Sequence, residues 1–174
     1  MAEIVASHPG ARRALFSKYH LGGCRSCAFS DTETLRALCL RNDNLPVAEV
    51  LAHLETSREN DAALQISPAD LAQALLSPQP PRLVDVRSRE EHEAVHLPGD
   101  HFLSQDLLQQ AFATWEKSAP LVLYCHKGGR SLDLAAYFSG HGFTQVKALA
   151  GGIDAWSAEV DSSLPRYRVE LESA

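Results

Sequence analysis

Apolar residues recur at helical spacing through the first third of the chain. Ala11, Leu15 and Phe16 form one stripe, with Pro9 placed for a first turn and Gly22-Gly23 setting a stop near His20. Ser30 followed by Glu33 has the form of a capping box and predicts a helix through Leu35, Leu38, Cys39 and Leu40. Pro46 then heads a third amphipathic stretch with Val47, Val50, Leu51 and Leu54. Thr56 to Asp61 is polar throughout and is expected to be a linker. Three short helices bury little surface for their length. This small all-α domain, residues 1–60, is therefore expected to lean on the rest of the chain or on a second copy.

From Leu64 the pattern changes to alternating strand and helix. Ser67-Pro68-Ala69-Asp70 opens a short helix that the Pro78 to Pro81 cluster ends. Arg82 to Val86 reads as a buried strand, Ser88 with Glu91 caps a helix, and Leu107 to Trp115 is helical. Leu121 to Tyr124 is a second short apolar strand, followed by a glycine-bearing loop and a helix around Leu132 to Phe138. Gln145 to Leu149 is a third strand, and Gly151-Gly152 breaks before a helix containing Ile153 and Trp156. This order predicts an α/β domain over residues 61–174, a parallel sheet flanked by helices. Ligands of such sheets bind at the carboxyl ends of the strands.

Composition narrows the chemistry. The 174 residues are 45% hydrophobic and 22% charged, as in an ordinary globular protein. No apolar run reaches the ~18–20 residues of a membrane span. Met1 to Gly10 lacks a basic start followed by a long apolar stretch, so no cleaved signal peptide is expected. Sixteen basic against 22 acidic residues, a net charge of −6, argue against nucleic acid as a partner. Four cysteines are too few for a disulfide scaffold and point to reactive or metal-binding thiols in a reducing cytoplasm.

One segment combines several of these signals, Cys125-His126-Lys127-Gly128-Gly129-Arg130-Ser131 directly after the apolar strand. Two glycines permit positive φ, so successive N–H groups can turn toward one atom as a nest. The following helix aims its positive end at the same point, and Lys127 and Arg130 add cations. Each effect favours thiolate over thiol at Cys125. The bland alternative is a small buried hydrophobe at a strand end.

Leu83-Val84-Asp85-Val86-Arg87, Glu91, His96-Leu97-Pro98-Gly99, the cysteine loop, Gly142-Phe143 and Gly151-Gly152-Ile153-Asp154-Ala155-Trp156 together resemble a single-domain rhodanese. The resemblance runs from about Ile66 to Val160. It implies a sulfurtransferase in which Cys125 forms a persulfide, taking sulfur from thiosulfate or a persulfide donor and passing it to a thiol or protein acceptor. No cofactor is implied. Val95 and Asp100 depart from the family's usual glycine and alanine. Four residues separate Cys125 from Arg130, one fewer than in the phosphatase relatives. That leaves phosphatase or arsenate reductase chemistry as a minor alternative, and a non-enzymatic binding module in sulfur or iron–sulfur cluster assembly as the other. Asp85, Arg87 and His96 are expected to support the site by pairing with loops and backbone rather than by direct chemistry.

Cys24-Arg25-Ser26-Cys27 follows Gly22-Gly23, and its spacing suits a reversible disulfide. A zinc site, for which His20 and Cys39 are the near candidates, an iron–sulfur cluster shared between two chains, and a solvent-exposed pair with no function stay open as alternatives. Glu3 to Glu55 resembles a small helical redox-disulfide domain of the type associated with hybrid-cluster proteins. That resemblance implies a dithiol partner for Cys125, in cis or across a homodimer.

Overall fold

A computed structural model describes residues 1–8, 10–22 and 28–167, and the chain divides into two compact units, Met1–Ala63 and Leu64–Ala174. Cys24 and Cys27 lie outside the described residues.

The first unit has helices α1 (Ala2–Ser7), α2 (Ala11–Tyr19), α3 (Leu35–Arg41) and α4 (Val47–Ala63). Its core gathers Ala11, Ala14, Leu15, Leu38, Val50 and Leu54, while Phe16 and Leu51 of the expected stripes are exposed. Two expectations are corrected. The polar run Thr56 to Asp61 is no linker but the last part of α4. It stays helical because Asp61 is a buried anchor, bonded by His8 Nε2 at 3.1 Å and by Arg13. Nor does Ser30 cap α3. Thr34 does, accepting from the Ala37 N–H at 3.1 Å, while the Ser30 hydroxyl contacts Thr32.

Among the described residues the second unit has five parallel strands in the order β1 (Gln65–Ile66), β5 (Val146–Leu149), β4 (Leu121–Tyr124), β2 (Arg82–Asp85) and β3 (His101–Phe102). The two-residue strands β1 and β3 carry no alternation that sequence patterning could detect. Successive side chains of the inner strands point to opposite faces. Val84, Leu121 and Leu123 pack in one core with Ala111 of α7 (Gln105–Thr114) and with Leu132, Ala135 and Phe138 of α8 (Gly129–Gly140). Leu83, Val122 and Tyr124 pack in the other with Leu71 of α5 (Pro68–Leu75) and with Ile153 and Trp156 of α9 (Gly152–Glu159). A helix covers each face, as an all-parallel sheet requires.

The capping signals of this unit hold. Ser67 caps α5, and Ser88 with Glu91 forms a complete capping box on α6 (Arg89–Ala94). Because all strands run the same way, Cys125, Val86 and Ala150, the residues after β4, β2 and β5, emerge along one edge of the sheet.

Candidate active site

Cys125 leaves the end of the central strand β4 and is 3% exposed. Its sulfur faces three donors: the Gly128 N–H at 3.2 Å, the Ser131 N–H at 3.4 Å and the Ser131 hydroxyl at 3.4 Å. Among the described residues the expected ring of amides is thus two amides and a hydroxyl. The second amide comes from the first turn of α8, where the orphan N–H groups of a helix lie. Only Gly128 of the two loop glycines uses positive φ, at 92°; Gly129 is simply the first residue of α8. A Cβ on Gly128 would stand 3.0 Å from the Gly151 nitrogen and 3.2 Å from the Leu149 oxygen.

The start of α9 holds the loop from behind. The Ile153 N–H donates to the Cys125 carbonyl at 2.9 Å and the Asp154 N–H to the His126 carbonyl at 3.2 Å. Gly152, at φ 64°, lies so close that a Cβ would fall inside both carbonyls. With its first carbonyls drawn toward α9, the loop turns later N–H groups toward the sulfur.

The two loop cations differ. Lys127 Nζ is 2.6 Å from Asp154, which also takes Arg166 at 2.8 Å. These bonds hold the Asp154 carboxyl well below the ordinary carboxylate range, Arg166 first and Lys127 second. Arg130 is exposed and has no ion-pair partner among the described residues, leaving its guanidinium available to an anion. His126 packs tilted against Tyr167, ring centroids 4.4 Å apart, and its Nδ1 has no hydrogen-bond partner among the described residues. Burial, followed by the charge of Lys127, pushes the His126 ring below its ordinary value, so it is neutral near pH 7.

Asp85 and Arg87 form a fully buried pair behind the loop. The Arg87 Nε is 2.9 Å and the NH2 group 2.6 Å from the carboxylate, and the Arg87 N–H adds a bond at 3.0 Å. The Tyr124 hydroxyl and the His92 Nδ1 also reach Asp85, at 3.1 and 3.0 Å. Arg87 extends to Tyr167 at 2.6 Å and to the Val95 carbonyl at 2.5 Å. Burial, then the hydrogen bond to Asp100 and the charge of Asp85, push the Tyr124 phenol far above its ordinary value. It is a donor. Burial and the Glu91 hydrogen bond push Tyr167 up to about 12. His96 is exposed, with Nδ1 2.9 Å from the His92 carbonyl. Cys39 is buried in the first unit, where burial raises its thiol.

Sequence reasoning gave no site role to Tyr124, His92, Asp100, Asp154, Arg166 or Tyr167. Tyr124 read as strand core, and only its place immediately before Cys125 hinted at more. Arg166 and Tyr167 fall in a segment with no periodicity at all.

A family profile described as a Rhodanese-like domain matches residues 67–159. Thiosulfate sulfurtransferase GlpE of Pseudomonas savastanoi pv. phaseolicola is 35% identical over 91 residues, covering 52% of this chain and 85% of GlpE. Adenylyltransferase and sulfurtransferase UBA4 of Candida albicans is 30% identical over 115 residues, covering 62% of this chain but only 26% of its own length. The solved structure of the human single-domain sulfurtransferase TSTD1 superposes with a TM-score of 0.50 at 26% identity, over 55% of this chain and 96% of that one.

Proposed function

This chain belongs to the rhodanese-like family, and from that membership and the cradle around Cys125 we propose that it moves sulfane sulfur from thiosulfate or a persulfide donor to a thiol acceptor. The observation that supports this best is the convergence of two amides and a hydroxyl on one cysteine sulfur. Such donors, fixed before reaction, stabilise negative charge on the sulfur. A pure binding module has no use for them.

The Cys125 thiolate attacks the outer sulfur of thiosulfate. The Sγ–S bond forms, the donor's S–S bond breaks, and sulfite leaves with the electron pair. Cys125 is 3% exposed, so only the tip of a donor reaches it, which suits a terminal sulfur atom. Arg130 faces the anionic remainder of the donor. The persulfide's charge passes to the same three donors until an acceptor thiolate attacks the outer sulfur and Cys125 leaves as thiolate. In this proposal Cys24 and Cys27 are that acceptor, in the same chain or a second copy. One attacks, the other then closes a disulfide and expels hydrosulfide, and a dithiol reductant resets the pair.

Mass spectrometry after thiosulfate treatment tests the first half: the peptide containing Cys125 gains one sulfur atom. A Cys125→Ser protein that keeps full sulfur transfer refutes it. For the second half, Cys24→Ser/Cys27→Ser slows turnover with dithiol or protein acceptors. Unchanged turnover removes the relay.

A further inference from the structure

The connection between α6 and β3 gathers a second set of chemically capable side chains, apart from the cysteine loop. His92 and His96 are four residues apart, and their rings stack at 4.5 Å with 23° between planes. The chain then turns back and places Asp100 Oδ2 3.6 Å from His92 Nδ1. One ring nitrogen of each histidine and one Asp100 oxygen lie within 4.8 Å of one another.

Hydrogen bonds prepare His96 and Asp100 as ligands. His96 Nδ1 faces the His92 carbonyl at 2.9 Å, and a carbonyl only accepts. Nδ1 therefore carries the hydrogen and Nε2 keeps a free lone pair. A backbone carbonyl orients metal-binding imidazoles in this way. Asp100, whose side chain is 2% exposed, accepts from Tyr124. Charge points the same way. Asp85 and Asp100 are two buried carboxylates, and Arg87 ion-pairs only with Asp85 among the described residues. Among the described residues the second negative charge faces two imidazoles and no ion-paired cation.

We propose that His92, His96 and Asp100 bind a divalent first-row transition ion such as zinc. Two imidazoles and a carboxylate are the donor set such ions prefer, with water completing the coordination. Bonds of about 2.0–2.1 Å put neighbouring donors of a tetrahedral ion roughly 3.4 Å apart. The separation of 3.6 Å between His92 Nδ1 and Asp100 Oδ2 already fits. No pair has to close by more than about 1.4 Å, and the exposed His96 ring is free to rotate by that much. When His92 ligates through Nδ1, its hydrogen moves to Nε2 and Asp85 keeps its bonds from Arg87.

The probe is cobalt(II), titrated into the full chain with Cys24, Cys27 and Cys125 replaced by serine so that those thiols do not compete. One ion binds per chain, giving visible ligand-field bands without sulfur-to-metal charge transfer, and zinc displaces it. His96→Ala, a change at an exposed ring, weakens binding at least about tenfold. Failure of the thiol-substituted chain to bind cobalt overturns the site. So does equal binding with and without His96→Ala.

Discussion

Ser131→Ala separates a charge-stabilising cradle from mere packing around a buried cysteine. Ser131 is 0% exposed, and its hydroxyl has two acceptors in reach, Cys125 Sγ at 3.4 Å and the Gly128 carbonyl at 3.1 Å. A hydrogen bond to a charged group contributes about 1.5–3 kcal/mol. Each ~1.4 kcal/mol off a barrier is worth tenfold in rate. The alternative acceptor and the sulfur distance place the effect at the low end, so kcat/KM for thiosulfate:thiol sulfur transfer falls about tenfold. Stability changes by somewhat less. The Gly128 carbonyl still accepts from the Leu132 N–H at 3.1 Å, and the Ser131 N–H still points at the sulfur. The folding cost is therefore about 1 kcal/mol, read by denaturant unfolding. Steady-state kinetics and unfolding on one preparation decide the matter. If kcat/KM stays within about twofold of the parent, the hydroxyl does not stabilise an anionic sulfur and the cradle argument fails.

Gly128→Ala lowers both stability and turnover: the left-handed backbone costs about 1–2 kcal/mol, and its new Cβ crowds Gly151 and Leu149, displacing an amide that faces Sγ. Unfolding and kinetic measurements should both show losses larger than those of Ser131→Ala. Asp85→Ala strands a buried guanidinium and destabilises the second unit by about 3–5 kcal/mol in denaturant titrations, whereas replacing Asp85 and Arg87 together by apolar residues of similar size regains part of that loss. Asp154→Asn costs under about 1 kcal/mol at neutral pH, because Lys127 and Arg166 are 64% and 56% exposed and screened. The folded Asp154 titrates below the unfolded value, so its contribution is complete above about pH 4 and disappears as pH falls further. Thermal melts of parent and variant should converge there.

The centre of the sheet was readable in sequence because β4 is buried on both faces and apolar at every position from Leu121 to Tyr124. Ser67 and Ser88 were readable for a different reason, since an N-cap is a contact over three residues. The same local rule misplaced the start of α3. Ser30 and Glu33 have the pattern, but Thr34 stands next to the helix and takes the bond. Thr56 to Asp61 looked like a linker because composition cannot see that Asp61 meets His8 across 53 residues. At the candidate site Cys125, Gly128 and Ser131 were legible as one contiguous run. Tyr167 was not, because its meaning lies in Arg87, 80 residues earlier.

That difference has a physical consequence for the reaction. The donors on the sulfur are mainly backbone groups, and three strand ends hold the backbone in place: Cys125 after β4, the buried Asp85 at the end of β2, and Gly152 after β5. Side-chain charge is arranged outside this frame, and one of the two loop cations, Lys127, is already paired with Asp154. The electrostatics at the sulfur therefore depend more on loop shape than on Lys127. Neutralising Lys127 leaves both amides aimed at Sγ, whereas a single methyl at position 152 collides with the Cys125 and His126 carbonyls that fix their direction. The proposed sulfur transfer would gain from this division. In that proposal the charge changes position when a sulfur atom is added to Cys125, and fixed dipoles can stabilise both forms without a side chain having to follow.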